Sequence, residues 1–247
     1  MLTWGRERFS AGPTSWRPWH MSCFPDPVPQ QPPSFWRRNS LSLAFGGLTL
    51  GSLLGHVLSG RAAENAERLA HGLKELGALD YVQSGGFRSS LFENWESEFL
   101  QMMLFVLLTV ALRQKGSSES KPLGEPPAPQ AFPLRDAPWP VRRGGTWLKL
   151  YEHSLSLALL GLFVMSMFGH WRSSYDSYVE KAARTGERVD HGLWQHWLDS
   201  EFWFESFQNW QSEFFSISVL VLLSIYLREK DSAQSKEVQA PHSHTGD

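Results

Sequence analysis

Two stretches of this chain repeat each other, so any fold must accommodate one unit twice. Residues 40–56, SLSLAFGGLTLGSLLGH, return as 154–170, SLSLALLGLFVMSMFGH, at an offset of 114. Residues 92–99, FENWESEF, return as 207–214, FQNWQSEF, at 115. A third block, VLLTVALRQK from Val106, recurs as VLLSIYLREK from Val221, and Ser117, Ser120 and Lys121 match Ser232, Ser235 and Lys236. A tandem duplication of this kind directs the search for functional positions to those kept in both copies.

The 42% hydrophobic content and net charge of -2 read as an ordinary soluble domain, but the apolar residues are gathered into four runs. Residues 41–58 are 18 in a row without a charge, close to the roughly 20 a helix needs to cross a bilayer, and 155–171 repeat the pattern. Residues 99–112 and 214–227 have only 14 uncharged residues each. Started at Phe92 and Phe207, these two helices reach 21 residues, with their Glu and Trp side chains at headgroup level. The expected fold is therefore all-α and integral to a membrane, with four transmembrane helices arranged as two parallel two-span repeats. Short amphipathic outer helices are expected within 62–76 and 175–184, each followed by another near Tyr81 or His196.

This organisation places repeat 1 at 37–115, with spans about 40–60 and 92–113, and repeat 2 at 147–231, with spans about 154–172 and 207–228. Residues 1–36, with seven prolines before position 36, read as a disordered tail or an over-extended start with Met21 as an alternative first residue. The Pro-, Gly- and Ser-rich stretch 116–146 reads as a flexible linker, and 232–247 as a second disordered tail. Cys23 is the single cysteine, which excludes an intramolecular disulfide and a thiolate metal cage.

Basic residues number five before the first span, seven from Arg113 to Lys149 and three after the last, against four between each pair of spans. The positive-inside bias therefore predicts a multi-pass membrane protein with both termini and the linker cytoplasmic. Between the paired apolar runs lie seven and eight acidic residues, so the outer segments together carry about -7, which attracts cations and disfavours nucleic acid.

Among positions kept in both copies, Gly47, Gly51 and Gly55 lie four apart, and Gly161 and Gly169 keep two of the three places, a face through which helix backbones can approach. The motif Asn94, Trp95, Ser97, Glu98 recurs as Asn209, Trp210, Ser212, Glu213. Asn or Ser can cap a helix start and Trp anchors it in the interfacial belt, so the motif supplies what a helix needs to enter a bilayer. His56 and His170, with Glu98 and Glu213, form a possible cluster near the outer interface that could hold a metal, flank a haem or relay protons. Trp194, Trp197 and Trp203 lack Trp counterparts and read as membrane-surface contacts. No phosphate loop, nucleophile elbow, HExxH or cysteine pair is present, and no charge falls in mid-span.

The SLSLA first span, ENWESEFLQ at 93–101 and VLLTVALRQKGSSESK at 106–121 together resemble an uncharacterised bacterial integral-membrane family, a domain of unknown function with two spans per unit. Copy two departs from that pattern at Gln208, Gln211, Phe215 and Ser216. The resemblance implies a bacterial inner-membrane location and no assigned activity. The expected role is structural or partner-binding without catalysis or cofactor, with the lipid bilayer and a further copy or another membrane protein as partners. Two alternatives stand beside it: a small cation or proton channel with an acidic outer vestibule, and a metal- or haem-binding redox component using His56 and His170.

Overall fold

The computed structural model describes residues 34–124 and 132–246. Among them all regular structure is helical. The helices are α1 (Phe35–Arg38), α2 (Ser40–Ala70), α3 (Ala78–Gln83), α4 (Gly85–Ala111), α5 (Trp139–Arg143), α6 (Gly145–Glu152), α7 (Ser154–Thr185), α8 (Leu193–His196) and α9 (Ser200–Tyr226). The sequence offset is reproduced in their bounds: α2 and α7 begin 114 residues apart, and α4 and α9 begin and end 115 apart. By length and composition α2 and α7 are each able to cross a membrane.

The chain divides into two units, Met1–Gly51 and Ser52–Asp247. In the first, α1 and the opening turns of α2 present exposed apolar side chains, Leu41, Phe45, Leu48 and Leu50 among them. The expected tail 1–36 lies almost wholly outside the described residues.

In the second unit α4 and α7 are antiparallel neighbours, since Gly85 meets Ser177, Phe92 meets Gly169 and Glu96 meets His170. α9 runs parallel to α4, with Asn209 on Glu93, Gln101 on Ser216 (3.1 Å) and Ser117 on Ser224 (2.8 Å). The two copies thus interleave through α4 and α7. At the α4–α7 crossing a Cβ on Gly85 would fall 2.3 Å from the Ser177 backbone nitrogen, so only glycine permits this approach.

The long helices differ from the sequence reading at their outer ends. No separate amphipathic helices occupy 62–76 and 175–184; α2 runs unbroken to Ala70 and α7 to Thr185. No Gly or Pro interrupts 62–70 or 175–184, Gly72 (φ 73°) follows the end of α2, and the extension is held by Arg184 on Glu64 (2.7 Å), Asn65 Oδ1 accepting from Leu76 N (2.7 Å) and Arg88 on Asp176 (3.0 Å). At 31 residues and 1.5 Å per residue α2 is about 46 Å long, longer than the roughly 30 Å hydrocarbon layer. The expected second helices are present as α3 and α8.

α4 and α9 begin about two turns before Phe92 and Phe207. Their caps are Ser84, accepting from Phe87 N, and Asp199, accepting from Glu201 N (2.7 Å). The NWxSEF motif is therefore helix interior, with Ser97 and Ser212 each donating to the carbonyl three residues back at 2.8 Å.

The segment beyond α9, expected to be a disordered tail, packs against residues 116–120. Gly116 N donates to Thr245 Oγ1 (2.9 Å) and Gly246 N to Ser117 O (3.0 Å). The buried Lys236 ammonium faces four backbone carbonyls, those of Gly116, Ile225, His242 and His244. A buried ammonium needs acceptors for three donors, and the carbonyls here serve that need. The linker 116–146 also contains order in its described part, a 3-10 turn at Leu134–Asp136 followed by α5. Replacing Lys236 with Met leaves the Gly116, His242 and His244 carbonyls without this donor, at about 1–3 kcal/mol per uncompensated buried group, while Ile225 O keeps Arg228 Nη1. Limited proteolysis should then cut 232–246 about tenfold faster or more, whereas an unchanged cleavage rate would mean the cage contributes nothing.

Candidate functional site

His170, at the end of the apolar stretch of α7, is wholly buried, and each ring nitrogen faces a carboxylate. Nδ1 lies 3.1 Å from Glu96 Oε2 on α4, and Nε2 lies 3.3 Å from Glu205 Oε2 on α9. Glu96 is likewise fully buried, and its other oxygen accepts from Trp210 Nε1 at 3.3 Å. Glu93, one turn back on α4, accepts from Asn209 Nδ2 and sets one oxygen within 4.8 Å of ligand atoms from both His170 and Glu205. Three helices therefore converge three carboxylates on one imidazole. Phe202 packs on the ring (centroids 4.8 Å apart), in an apolar cluster with Met167, Trp171 and Trp203 that limits access of water.

The centre opens into a cavity of about 200 Å³ lined by Ser89, Glu93, Ser174, Tyr178, His196 and Glu205, among others. Ser174 Oγ donates to Glu205 Oε2 (3.4 Å), which leaves it to accept from His196 Nε2–H at 3.0 Å. The other nitrogen, His196 Nδ1, lies 3.1 Å from His191 Nε2, and His191 Nε2 lies 3.6 Å from Asp199 Oδ2. Burial holds the His196 imidazole below its ordinary range, against the opposing pull of the Asp199 carboxylate.

The cluster expected from the sequence is only partly assembled. His170 is in the centre, but its partners are Glu96 and Glu205 in place of Glu98 and Glu213. Glu98 is exposed, because it falls one position beyond the buried α4 face that carries Glu93, Glu96, Ser97 and Leu100. His56 contacts Ser90 Oγ at 3.0 Å and the Phe87 ring and is not paired with His170. Trp95 is 41% exposed and stands edge-on to Phe92, whereas its counterpart Trp210 is drawn inward to Glu96. Asn94 donates to Ser90 O within its own helix, while Asn209 reaches across to Glu93.

Of the glycine face, a Cβ at Gly47, Gly51, Gly55 or Gly161 would meet nothing within 4 Å among the described residues, and only Gly169 is packed, against the Phe92 ring. Trp194 is exposed as expected of a surface contact, but Trp203 is packed against the Phe202 cluster and donates to Trp197 O (2.7 Å).

Glu93, Glu96, Glu205, His191, His196 and Asp199 escaped a search confined to positions retained in both copies. The signal available was the reverse one. Glu93 and Glu96 stand where copy two has Gln208 and Gln211, and Glu205 stands where copy one has Ser90. Within the paired blocks 92–99 and 207–214, Glu93 and Glu96 are the positions at which charge differs between the copies.

No curated protein and no solved structure matches the chain. A family model described as Domain of unknown function (DUF6766) matches residues 32–247, taking in every described helix and every residue of the buried centre. The chain belongs to that family of domains of unknown function.

Proposed function

We propose that the protein is a four-span membrane protein, its termini cytoplasmic, that takes up a divalent cation from the outer side into the centre formed by Glu93, His170 and Glu205. The observation that carries this reading is the excess of carboxylates: three surround a single buried imidazole, more than one ring can balance. In a poorly hydrated interior such charge is costly unless a cation or protons meet it. With Nδ1–H given to Glu96, release of the proton shared between His170 Nε2 and Glu205 would turn that nitrogen into a ligand beside Glu205 and Glu93, a carboxylate–histidine arrangement that orients the ring and raises its basicity. The acidic outer segments favour accumulation of cations at the mouth of the cavity.

The four-span architecture draws support from the two apolar helices, the exposed Leu and Phe of α2, and the matched 27-residue helices α4 and α9. Duplication gives two parallel hairpins, and Gln101 with Ser216 and Ser117 with Ser224 supply polar contacts along their α4–α9 seam. A haem between His56 and His170 has little support, because both His170 nitrogens are engaged by carboxylates and His56 faces Ser90.

The test is uptake of Zn²⁺ or Mn²⁺ into proteoliposomes read by an internal fluorescent chelator. Uptake is expected for the native chain and a loss of at least about tenfold for the Glu93→Gln, Glu205→Gln double variant. A native chain that moves no metal but acidifies the lumen shifts the cargo to protons, and one that moves neither returns the protein to a purely structural role.

A further inference from the structure

The second group of ligand atoms bordering the cavity is built differently from the first, and we infer that His191, His196 and Asp199 form a separate site for a first-row divalent cation of the zinc class. His191 Nε2, His196 Nδ1 and an Asp199 oxygen all lie within 4.8 Å of one another. The two measured separations are 3.1 Å between the histidine nitrogens and 3.6 Å from His191 to Asp199 Oδ2. Metal–ligand bonds of about 2.0–2.2 Å in a tetrahedron put neighbouring ligand atoms roughly 3.3 Å apart, so an ion fits between these atoms with only small side-chain shifts.

Each ligand is already aimed. His196 is held by Ser174 on its Nε2 side, which fixes the tautomer whose Nδ1 lone pair points to the site. The His191 ring lies flat on Tyr178, with centroids 4.6 Å apart and planes 10° from parallel. Tyr178 is anchored in turn by accepting from Asp190 N at 2.9 Å. Asp199 commits Oδ1 to capping α9 through Glu201 N, which leaves Oδ2 for the metal. Two imidazoles and one carboxylate make a borderline-soft donor set suited to Zn²⁺, with a fourth position left for water.

Access separates this site from the His170 centre. The side chains of His191 and Asp199 are 20% and 27% exposed, so an ion can arrive from solvent, whereas in the first group Glu205 is open to a similar degree, 30%, but His170 is fully enclosed. His196 also lines the cavity that reaches Glu93 and Glu205. The site is thus placed to capture a cation at the mouth of the cavity, although its existence does not depend on the buried centre being a metal site.

The experiment measures Zn²⁺ stoichiometry on the full chain purified in detergent, by calorimetric titration and by metal analysis after desalting. Compared are the native protein, Asp199→Asn with His191→Gln, and Glu93→Gln with Glu205→Gln. Asn retains helix-capping ability, so α9 keeps its start in the first variant, which circular dichroism checks. If both sites exist, the native chain binds two ions and each double variant one. If only this inference holds, the native chain binds one ion, lost in the His191/Asp199 variant and kept in the other. An affinity unchanged by the His191 and Asp199 substitutions, or no zinc bound by any form, overturns the site and leaves the two imidazoles as a simple hydrogen-bonded pair.

Discussion

Replacing His170 with alanine is expected to lower the stability of the detergent-solubilised protein by about 3–5 kcal/mol, the size of loss seen when one partner of a buried ionic group is removed. The imidazole bridges Glu96 and Glu205, and without it Glu96 retains Trp210 Nε1 at 3.3 Å and Glu205 retains Ser174 Oγ at 3.4 Å. Alanine also opens a void beneath Phe202, whose ring rests on the imidazole. Thermal unfolding followed by tryptophan fluorescence reads the effect directly, since Trp210 touches the site and Trp171 lies in the adjoining cluster. Adding Glu205→Gln to the alanine variant removes one of the stranded charges and should restore part of the loss. A melting point within a degree or two of the native value would mean that the centre is hydrated in the protein and has no energetic weight.

The second large effect is expected at Gly85. A valine there drives its Cβ to 2.3 Å from Ser177 N and 2.6 Å from the Asp176 carbonyl carbon, both backbone atoms of a packed helix. Only separation of α4 from α7 relieves the clash. Overpacking of this kind costs about 1–3 kcal/mol and more when backbone must move, and the separation also loosens Glu96 from His170. Gly169→Ala should be milder because the obstacle is the Phe92 ring, which can swing. Gly55→Ala and Gly161→Ala, with nothing within 4 Å of the added carbon, should be neutral or raise stability by the roughly 0.5–1 kcal/mol gained when alanine replaces a helical glycine. Melting curves for the four variants check this order, and equal effects at all four positions would show that the α4–α7 crossing is not where the interior is tightest.

The sequence carried the helical class and the two apolar helices, because long uncharged runs leave few other folds, and the offset between its similar blocks recurs in the bounds of the paired long helices. The starts of α4 and α9 were legible in principle, as Ser84 and Asp199 are capping residues spaced by the same 115. They were obscured because Glu93, Trp95, Glu205 and Trp210 look like the polar border of a membrane, while in the fold Glu93, Glu205 and Trp210 face other helices. His170 was recognisable as a histidine at the end of an apolar helix. Its partners were not, for a physical reason: the centre is assembled once, from α4 of one copy and α7 and α9 of the other. A symmetric version would place like carboxylates at both equivalent positions and double the buried charge. Divergence between copies, with Ser90 against Glu205 and Glu96 against Gln211, is what such a centre demands. The ordered segment 232–246 was hidden because its stability comes from one lysine meeting carbonyls distant in sequence, a contact that polar composition does not reveal.

The central claim is that groups from both copies form one coupled buried centre, and a double-mutant cycle on His170 and Glu205 tests it most directly. Unfolding free energies of the native chain, His170→Gln, Glu205→Gln and the double variant should give a coupling energy of about 1–3 kcal/mol, the range for residues sharing one hydrogen-bonded ionic network. Additivity within about 0.5 kcal/mol would contradict the account, since it would mean that the two side chains do not act on each other in the folded protein.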